Sequence, residues 1–259
     1  MATALLPGIW SLDSARGCNV YLLDAGGTLV VIDSGLGGST HRLVQEIEAL
    51  VPGRAPEVVA LTHRHGDHQG GAAALRTHFS ARVAAGAADC EIEGGRTVTR
   101  HHGDASGGGR LPGWLLPRAF SLARTPVDLA LEGEVEVAPG LLAVPAPGHT
   151  AGSYCYIDVP RGVAFVGDLV LSYPDGLARS LRAVNDDDAR YLDSIAEFAK
   201  RAPGAGLAGH GVPVLEGFDA ALRDVAGWPR TGVFSLSGLP RRARRLYWFA
   251  KGQLLRGRL

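Results

Sequence analysis

One short segment of the chain concentrates the side chains that ligate metal ions in proteins. Four such residues fall within six positions: His63, His65, Asp67 and His68. Imidazole and carboxylate groups suit zinc, iron or manganese, so the segment predicts a metal-binding loop. The apolar, β-branched residues 57–61 before it predict a buried strand, and the Ala-rich residues 71–78 after it predict a helix. A turn between them that is neither helix nor strand can point the first two ligands at one centre and the last two at another.

Three further candidate ligands each follow an apolar stretch and stand next to glycine. They are His149 in Pro147-Gly148-His149-Thr150, Asp168 at the end of Val163–Asp168, and His210 in Gly209-His210-Gly211. Glycine allows a backbone or a substrate to approach closely. Taken singly, each of these patterns more often marks a polar loop residue than a metal ligand. Together with the first segment they make seven ligands, which is enough for two metal ions.

The elements that must position these ligands alternate along the chain. Residues 40–50 carry apolar side chains at helical spacing and predict a helix, as do residues 186–202, whose first turn is acidic. Strands are predicted at 8–13, 19–24, 28–33, 82–85, 135–137, 141–145, 154–159, 163–167 and 207–209. Strands, helix, strand and helix thus occur twice in the same order. This indicates an α/β (α+β) fold, a four-layer αβ/βα sandwich of two mixed sheets with helices outside.

With these motifs, the chain resembles the metallo-β-lactamase superfamily of metal-dependent hydrolases, from about residue 8 to 213. The motifs match the family in kind, order and approximate spacing. The resemblance implies a first metal site of His63, His65 and His149. It implies a second of Asp67, His68 and His210, with Asp168 bridging the two. It also places Asp33 as a buried acid that supports the metal loop, a role in which a carboxylate orients a ligating imidazole.

The residue at position 168 separates branches of that family. Antibiotic-cleaving members commonly have a cysteine or another non-bridging ligand there, whereas an aspartate resembles the glyoxalase II, lactonase and phosphodiesterase branches. A β-lactam substrate is therefore disfavoured. Cys155, which lies in the middle of a predicted strand, is interpreted as a core residue. His65 argues against the flavodiiron branch, which has glutamate at this position.

The mechanism expected from this set is hydrolysis with two divalent metal ions, zinc first, with iron or manganese as alternatives. Two metals roughly 3.5–4 Å apart share a water and lower its pKa toward about 7, and the hydroxide attacks an ester, thioester or lactone of a small molecule. Asp67 and Asp168 are the predicted catalytic residues, because they orient the nucleophile and keep the metals close. Tyr173 is a candidate oxyanion donor, and His101 and His102 are candidate substrate residues without an assigned role.

Three other functions stay open at this point. The first is a nucleic-acid phosphodiesterase of the same fold, the second a mono-iron sulfur (persulfide) dioxygenase, and the third a non-enzymatic ligand-binding protein. The complete set of ligands for a second metal disfavours the dioxygenase, and an intact site disfavours the binding protein.

The domain organisation predicted is a catalytic domain at 1–221 and a basic helical extension at 222–259. Residues 87–127 are predicted to form an irregular insertion, either a lid on the substrate side or a plain surface insertion with helical pieces. Residues 222–259 hold nine Arg or Lys against one Asp, although the whole chain has zero formal net charge. We expect this extension to pack on the domain. The alternatives are that it binds an anionic substrate or nucleic acid, or that it contacts a membrane surface.

The sequence says less about the cellular compartment and the oligomeric state. Three scattered cysteines, no secretory leader pattern and no long apolar run lead us to expect a cytoplasmic protein without a membrane span. The sequence gives no indication of the oligomeric state.

Overall fold

The computed structural model describes residues 2–100 and 124–229 of the 259-residue chain. The strands, in chain order, are β1 (Thr3–Leu6), β2 (Ile9–Ser11), β3 (Tyr21–Ala25), β4 (Thr28–Ile32), β5 (Val58–Ala60), β6 (Arg82–Gly86), β7 (Cys90–Glu93), β8 (Arg96–Thr99), β9 (Leu129–Leu131), β10 (Val135–Ala138), β11 (Leu141–Pro145), β12 (Tyr154–Asp158), β13 (Val163–Gly167), β14 (Leu171–Tyr173), β15 (Gly176–Ala178) and β16 (Ala205–Ala208). The α-helices are α1 (Thr40–Leu50), α2 (Gly66–Gln69), α3 (Ala72–Phe79), α4 (Asp188–Ala199) and α5 (Phe218–Ala226).

Two large mixed sheets form the framework. The first has the strand order β1-β2-β3-β4-β5-β6-β9, and the second has the order β10-β11-β12-β13-β16. In the first sheet β4, β5, β6 and β9 run parallel, with Ile32 opposite Ala60. In the second, β16 is parallel to β13, with Gly167 opposite Ala208. The carboxyl ends of parallel strands lie at the same edge of a sheet, so the loops that follow these strands lie together at that edge.

Three apolar clusters define the layers. The central cluster lies between the two sheets, where the rings of Tyr21 and Phe165 stand 5.5 Å apart. A second cluster joins the other face of the first sheet to α1 and α3, and a third joins the other face of the second sheet to α4 and α5. Full burial of a side chain such as Phe165 contributes about 1.5–3 kcal/mol. The predicted four-layer αβ/βα sandwich is confirmed.

Several predicted boundaries change for local reasons. The helix predicted at 186–202 begins at Asp188, because the Asp187 side chain accepts hydrogen bonds from the backbone N–H groups of Ala189 and Arg190 as an N-cap. Strand β1, strand β9 and the β14–β15 hairpin were not predicted. Helix α5 extends across position 221, where the sequence predicts the end of the catalytic domain, and it packs Phe218, Leu222 and Val225 into the outer cluster of the second sheet.

The prediction of an irregular segment at 87–127 is wrong for its first part. Strands β7 and β8 form an antiparallel hairpin whose turn is Gly94-Gly95, and both glycines have positive φ. The same Gly-Gly pair that interrupts the sequence pattern is therefore a tight hairpin turn. Residues 101–123, including His101 and His102, lie outside the described residues, as does the basic stretch from Arg241 to Arg245. The described helices include none that is long and apolar enough to cross a membrane.

Candidate metal centre

The seven residues predicted as ligands lie together at the edge of the sandwich where the carboxyl ends of β5, β11, β13 and β16 meet. His63 and His65 follow β5, and His149 follows β11 in a loop. Asp168 comes directly after β13, and His210 follows β16. Asp67 and His68 lie on the single helical turn α2, so the first segment is partly helical and not the irregular turn that we predicted.

The first group of three consists of buried imidazoles. His65 Nδ1 is 3.0 Å from His63 Nε2 and 3.0 Å from His149 Nε2. Tetrahedral zinc with Zn–N bonds of about 2.05 Å separates its nitrogens by about 3.3 Å, so this spacing suits a metal ligand set. Burial, together with the neighbouring imidazoles of His68 and His65, lowers the pKa of His63 well below its ordinary value. Its ring therefore keeps a lone pair for a metal at neutral pH.

The second group of three combines two imidazoles with a carboxylate. His210 Nε2 is 3.3 Å from His68 Nε2 and 3.4 Å from Asp67 Oδ2. Burial opposes ionisation of Asp67, but the His68 and His210 imidazoles outweigh it and lower the pKa of the carboxyl. Burial likewise opposes protonation of His210, but Asp168 and Asp67 raise its pKa. The carboxylates and imidazoles of this group thus stabilise each other's charged forms.

Asp168 lies between the two groups. Its Oδ1 is 3.4 Å from His68 Nε2, and its Oδ2 is 3.5 Å from both His149 Nε2 and His210 Nε2. The imidazoles of His210 and His68 outweigh the effect of burial and lower the pKa of this carboxyl. Oδ1 is buried and makes no hydrogen bond of good geometry within the described residues. A buried, ionised and incompletely satisfied oxygen next to two nitrogen-rich groups fits a pair of divalent cations.

Two side chains orient imidazoles of the two groups. Asp33 Oδ2 is 2.8 Å from His68 Nδ1, while its Oδ1 accepts the Thr62 backbone N–H at 2.8 Å, so the predicted supporting acid lies against the metal loop. Asn185 Oδ1 is 2.8 Å from His149 Nδ1. Each contact leaves the Nε2 atom of the imidazole facing the centre of its group. Asn185 was not predicted, and the acidic run that follows it gave no signal of this role.

The packing around the second group leaves no room for a larger residue at position 209. A Cβ at Gly209 would lie 2.5 Å from His68 Cε1 and 2.7 Å from Asp168 Oδ1. The glycine next to His210 is thus required by close approach to two predicted ligands.

The remaining candidate residues differ in outcome. Tyr173 is the last residue of β14. The residue before it, Ser172, donates its backbone N–H to the His210 carbonyl at 3.0 Å. Its role as an oxyanion donor stays a prediction. Cys155 is fully buried in β12, as expected for a core residue. Cys18, which we had not singled out, is buried within 4.8 Å of ligand atoms of Asp33 and His68. Burial raises the pKa of this thiol to about 11, so it is a neutral neighbour of the site at pH 7.

Comparison with known proteins adds a family match. Residues 13–221 match the model of the metallo-beta-lactamase superfamily. A hydroxyacylglutathione hydrolase of Cereibacter sphaeroides is 33% identical over 117 residues, 44% of this chain and 34% of that protein. An atrochrysone carboxyl ACP thioesterase of Aspergillus fumigatus is 25% identical over 201 residues, 77% of this chain and 52% of that protein. The matches thus span about a third to a half of these curated relatives.

A solved structure shows the same fold. A metallo-beta-lactamase family protein from Thermus thermophilus superposes with a TM-score of 0.60 at 21% identity. The superposition covers 86% of this chain and 79% of that one. At this identity the likeness concerns the fold alone.

Proposed function

Because the chain belongs to the metallo-beta-lactamase superfamily, we propose that it is a dinuclear metal hydrolase that cleaves small-molecule thioesters, with esters and lactones as weaker substrates. The superfamily consists of metal-dependent hydrolases, which makes an enzyme the expected function. One relative is named a thioesterase and another a hydrolase of hydroxyacylglutathione, and acylglutathiones are thioesters. These names favour an acyl–sulfur bond over a phosphodiester.

The observation that carries the proposal is the position of Asp168 between two groups of ligand atoms. His63, His65 and His149 are the proposed ligands of one metal, and Asp67, His68 and His210 those of the other. The two oxygens of Asp168 face both groups, which favours a bridging role.

Two divalent metals held by these residues would supply Lewis acidity and would lower the pKa of a water at the site. The side chains of the chain then position the reactants. Asp67, whose pKa is lowered by His68 and His210 despite burial, stays ionised and accepts a hydrogen bond from the attacking water. Asn185 and Asp33 hold the rings of His149 and His68, so these imidazoles keep a fixed orientation while charge develops on the substrate.

Exposure indicates the side from which substrate arrives. His63 and His68 are almost completely buried, whereas the side chains of Asp67 and His210 are 23% and 19% exposed. The acyl carbonyl therefore approaches across Asp67 and His210. Residues 87–127, of which 101–123 lie outside the described residues, stay our predicted source of substrate contacts.

Metal analysis and a substrate panel test the proposal. We expect about two zinc ions per chain by mass spectrometry and hydrolysis of an acylglutathione faster than of a lactone or an aryl phosphodiester. The His149→Ala variant should lose metal and activity. The matched control is His78→Ala, because His78 is exposed and contacts Glu48 on the helical surface.

The alternatives give different results in the same experiment. About one iron per chain, with oxygen uptake on a persulfide and no hydrolysis, would replace the proposal with a dioxygenase. Preference for the phosphodiester would indicate the nuclease-like branch. Failure to take up metal after reconstitution would favour a ligand-binding protein.

A further inference from the structure

We propose that Asp89 is a positioning residue that holds the first metal's three histidines in place. The inference rests on the proposed metal centre. Asp89 ends a short 3₁₀ turn after β6 and is 1% exposed. It follows a strand that carries none of the predicted ligands.

The Asp89 carboxylate accepts four hydrogen bonds. Oδ2 accepts the backbone N–H of Arg64 at 3.0 Å and the Thr150 hydroxyl at 2.6 Å. Oδ1 accepts Arg64 Nη1 at 2.8 Å and the backbone N–H of Gly152 at 2.8 Å. Four donors use the acceptor capacity of an ionised carboxylate fully.

All four donors belong to the two loops that supply the first group of histidines. Arg64 is the residue between His63 and His65, so its N–H is part of the chain that joins these two ligands. Thr150 follows His149 directly. A single carboxylate therefore fixes the chain on both sides of the 3.0 Å contacts that join His65 to His63 and to His149.

The contact between the turn that holds Asp89 and the loop after His149 is tight. A Cβ at Gly152 would lie 2.5 Å from the Asp89 backbone nitrogen and 2.7 Å from its Cβ, so glycine is required for the approach. The second side of the network is Asp186, whose carboxylate accepts both Nη groups of Arg64, at 2.9 and 3.1 Å. Arg64 is 4% exposed, and its charge is balanced by these two acids.

No comparable contact joins Asp89 to the second group among the bonds of the described residues. The imidazole of His68 is held by Asp33 instead, at 2.8 Å. Asp33 faces His68 directly and reaches His63 only through the Thr62 hydroxyl, whereas Asp89 bonds only to the loops of the first group among these contacts. A change at Asp89 should weaken one metal and spare the other.

The test is a stepwise titration of the metal-free Asp89→Asn variant with cobalt(II), followed by visible absorption, and with zinc by calorimetry. An Asn amide presents N–H groups toward one pair of donors, so at least one of the four contacts becomes unfavourable. Loss of an outer partner of this kind costs about 10–100-fold in metal affinity. We expect that loss for one metal, with an altered cobalt spectrum, and an unchanged affinity for the other.

Asp128→Asn is the matched control for loss of stability alone. Asp128 also accepts an Arg side chain and a backbone N–H, from Arg76 and Val83, and neither partner is a predicted ligand. We expect Asp128→Asn to lower the melting temperature and leave both metal affinities unchanged. If Asp89→Asn behaves like Asp128→Asn, Asp89 is merely structural and the inference is overturned.

A second pair of variants keeps the test valid if Asp89→Asn does not fold. Thr150→Val removes the hydroxyl that donates to Asp89, and Thr150→Ser keeps it. We expect the valine variant to weaken the same metal and the serine variant to restore it. Equal affinities in both variants would contradict the inference. If the unaltered chain takes up no metal, the proposed function itself fails, whereas two metals in that chain and in all variants would refute only the role of Asp89.

Discussion

Replacing Asp33 by asparagine should weaken the second metal more than the first. Asp33 has a φ of 60°, a left-handed conformation that Asn also tolerates, so the substitution keeps the size and the backbone of the residue. The carboxylate receives the Thr62 N–H on Oδ1 and faces His68 Nδ1 with Oδ2. An amide in the same position has one acceptor where two are needed.

The orientation of the amide determines which contact is lost. If the amide oxygen stays on the Thr62 N–H, the NH₂ group faces His68 Nδ1 and favours the tautomer with the proton on Nε2. That proton occupies the atom that points toward His210 Nε2, 3.3 Å away, and blocks it as a ligand. If the amide is reversed, the NH₂ group meets the Thr62 N–H, and a buried donor is left without a partner.

Both outcomes have a calculable size. Loss of the supporting contact costs about 10–100-fold in affinity for the second metal, or about 1.4–2.7 kcal/mol. An unsatisfied buried donor costs about 1–3 kcal/mol of folding stability. The carboxylate is 2% exposed, so solvent does not relieve either penalty.

Zinc titration by calorimetry, with urea unfolding of the metal-free protein, separates the two effects. The control is Asp24→Asn, because Asp24 forms a partly exposed ion pair with Arg54, away from the predicted ligands. An Asp33→Asn variant that binds two zinc ions with unaltered affinities would refute the reasoning. So would equal weakening of both metals, since Asp33 faces His68 of the second group directly and reaches His63 of the first group only through the Thr62 hydroxyl.

Three other predictions concern the same edge of the sandwich. Asp168→Ala should lose hydrolysis together with at least one metal; full activity by thioester assay would exclude a bridging role. Tyr156→Phe should cost about 1–3 kcal/mol in urea unfolding, because the buried hydroxyl donates to the Leu61 carbonyl at 2.7 Å. The matched Tyr21→Phe should lower the free energy of unfolding by less. The Ala208 carbonyl would lose the Tyr21 hydroxyl but would still accept a hydrogen bond from Asn19 Nδ2. Finally, metal affinity should rise with pH. Burial lowers the pKa of His210, but the Asp168 and Asp67 carboxylates raise it by more, and the protonated ring must lose its proton before it can bind a metal. Calorimetry in buffers of different ionisation enthalpy should detect the release of protons when metal binds. Binding without proton release would contradict the raised pKa of His210.

The sequence indicated which side chains lie together at this edge, because histidine and aspartate carry their own chemical signal. Histidine and aspartate at the ends of apolar strands are informative without any knowledge of what lies nearby. The layers were predictable for a similar reason, since the apolar spacing of residues 40–50 is a property of that segment alone.

The supporting residues could not be predicted, because their roles depend on pairing across the chain. Asn185 meets a histidine 36 positions earlier, and Asp89 meets Arg64 25 positions earlier and Thr150 61 positions later. An aspartate after a strand and an asparagine before a helix are ordinary capping or loop residues in isolation. The β7–β8 hairpin was missed because two adjacent glycines indicate both a tight turn and an irregular loop.

The origin of the proposed ligands in both sheets has a mechanical consequence. His63 and His65 follow a strand of the first sheet, whereas His149 follows a strand of the second, so a metal bound by this group would cross-link the two halves of the sandwich. Separation of the sheets at this edge would require breaking metal bonds as well as exposing apolar surface. The metal-free protein should therefore open there first, and amide exchange in the strands nearest the site should slow when metal is added.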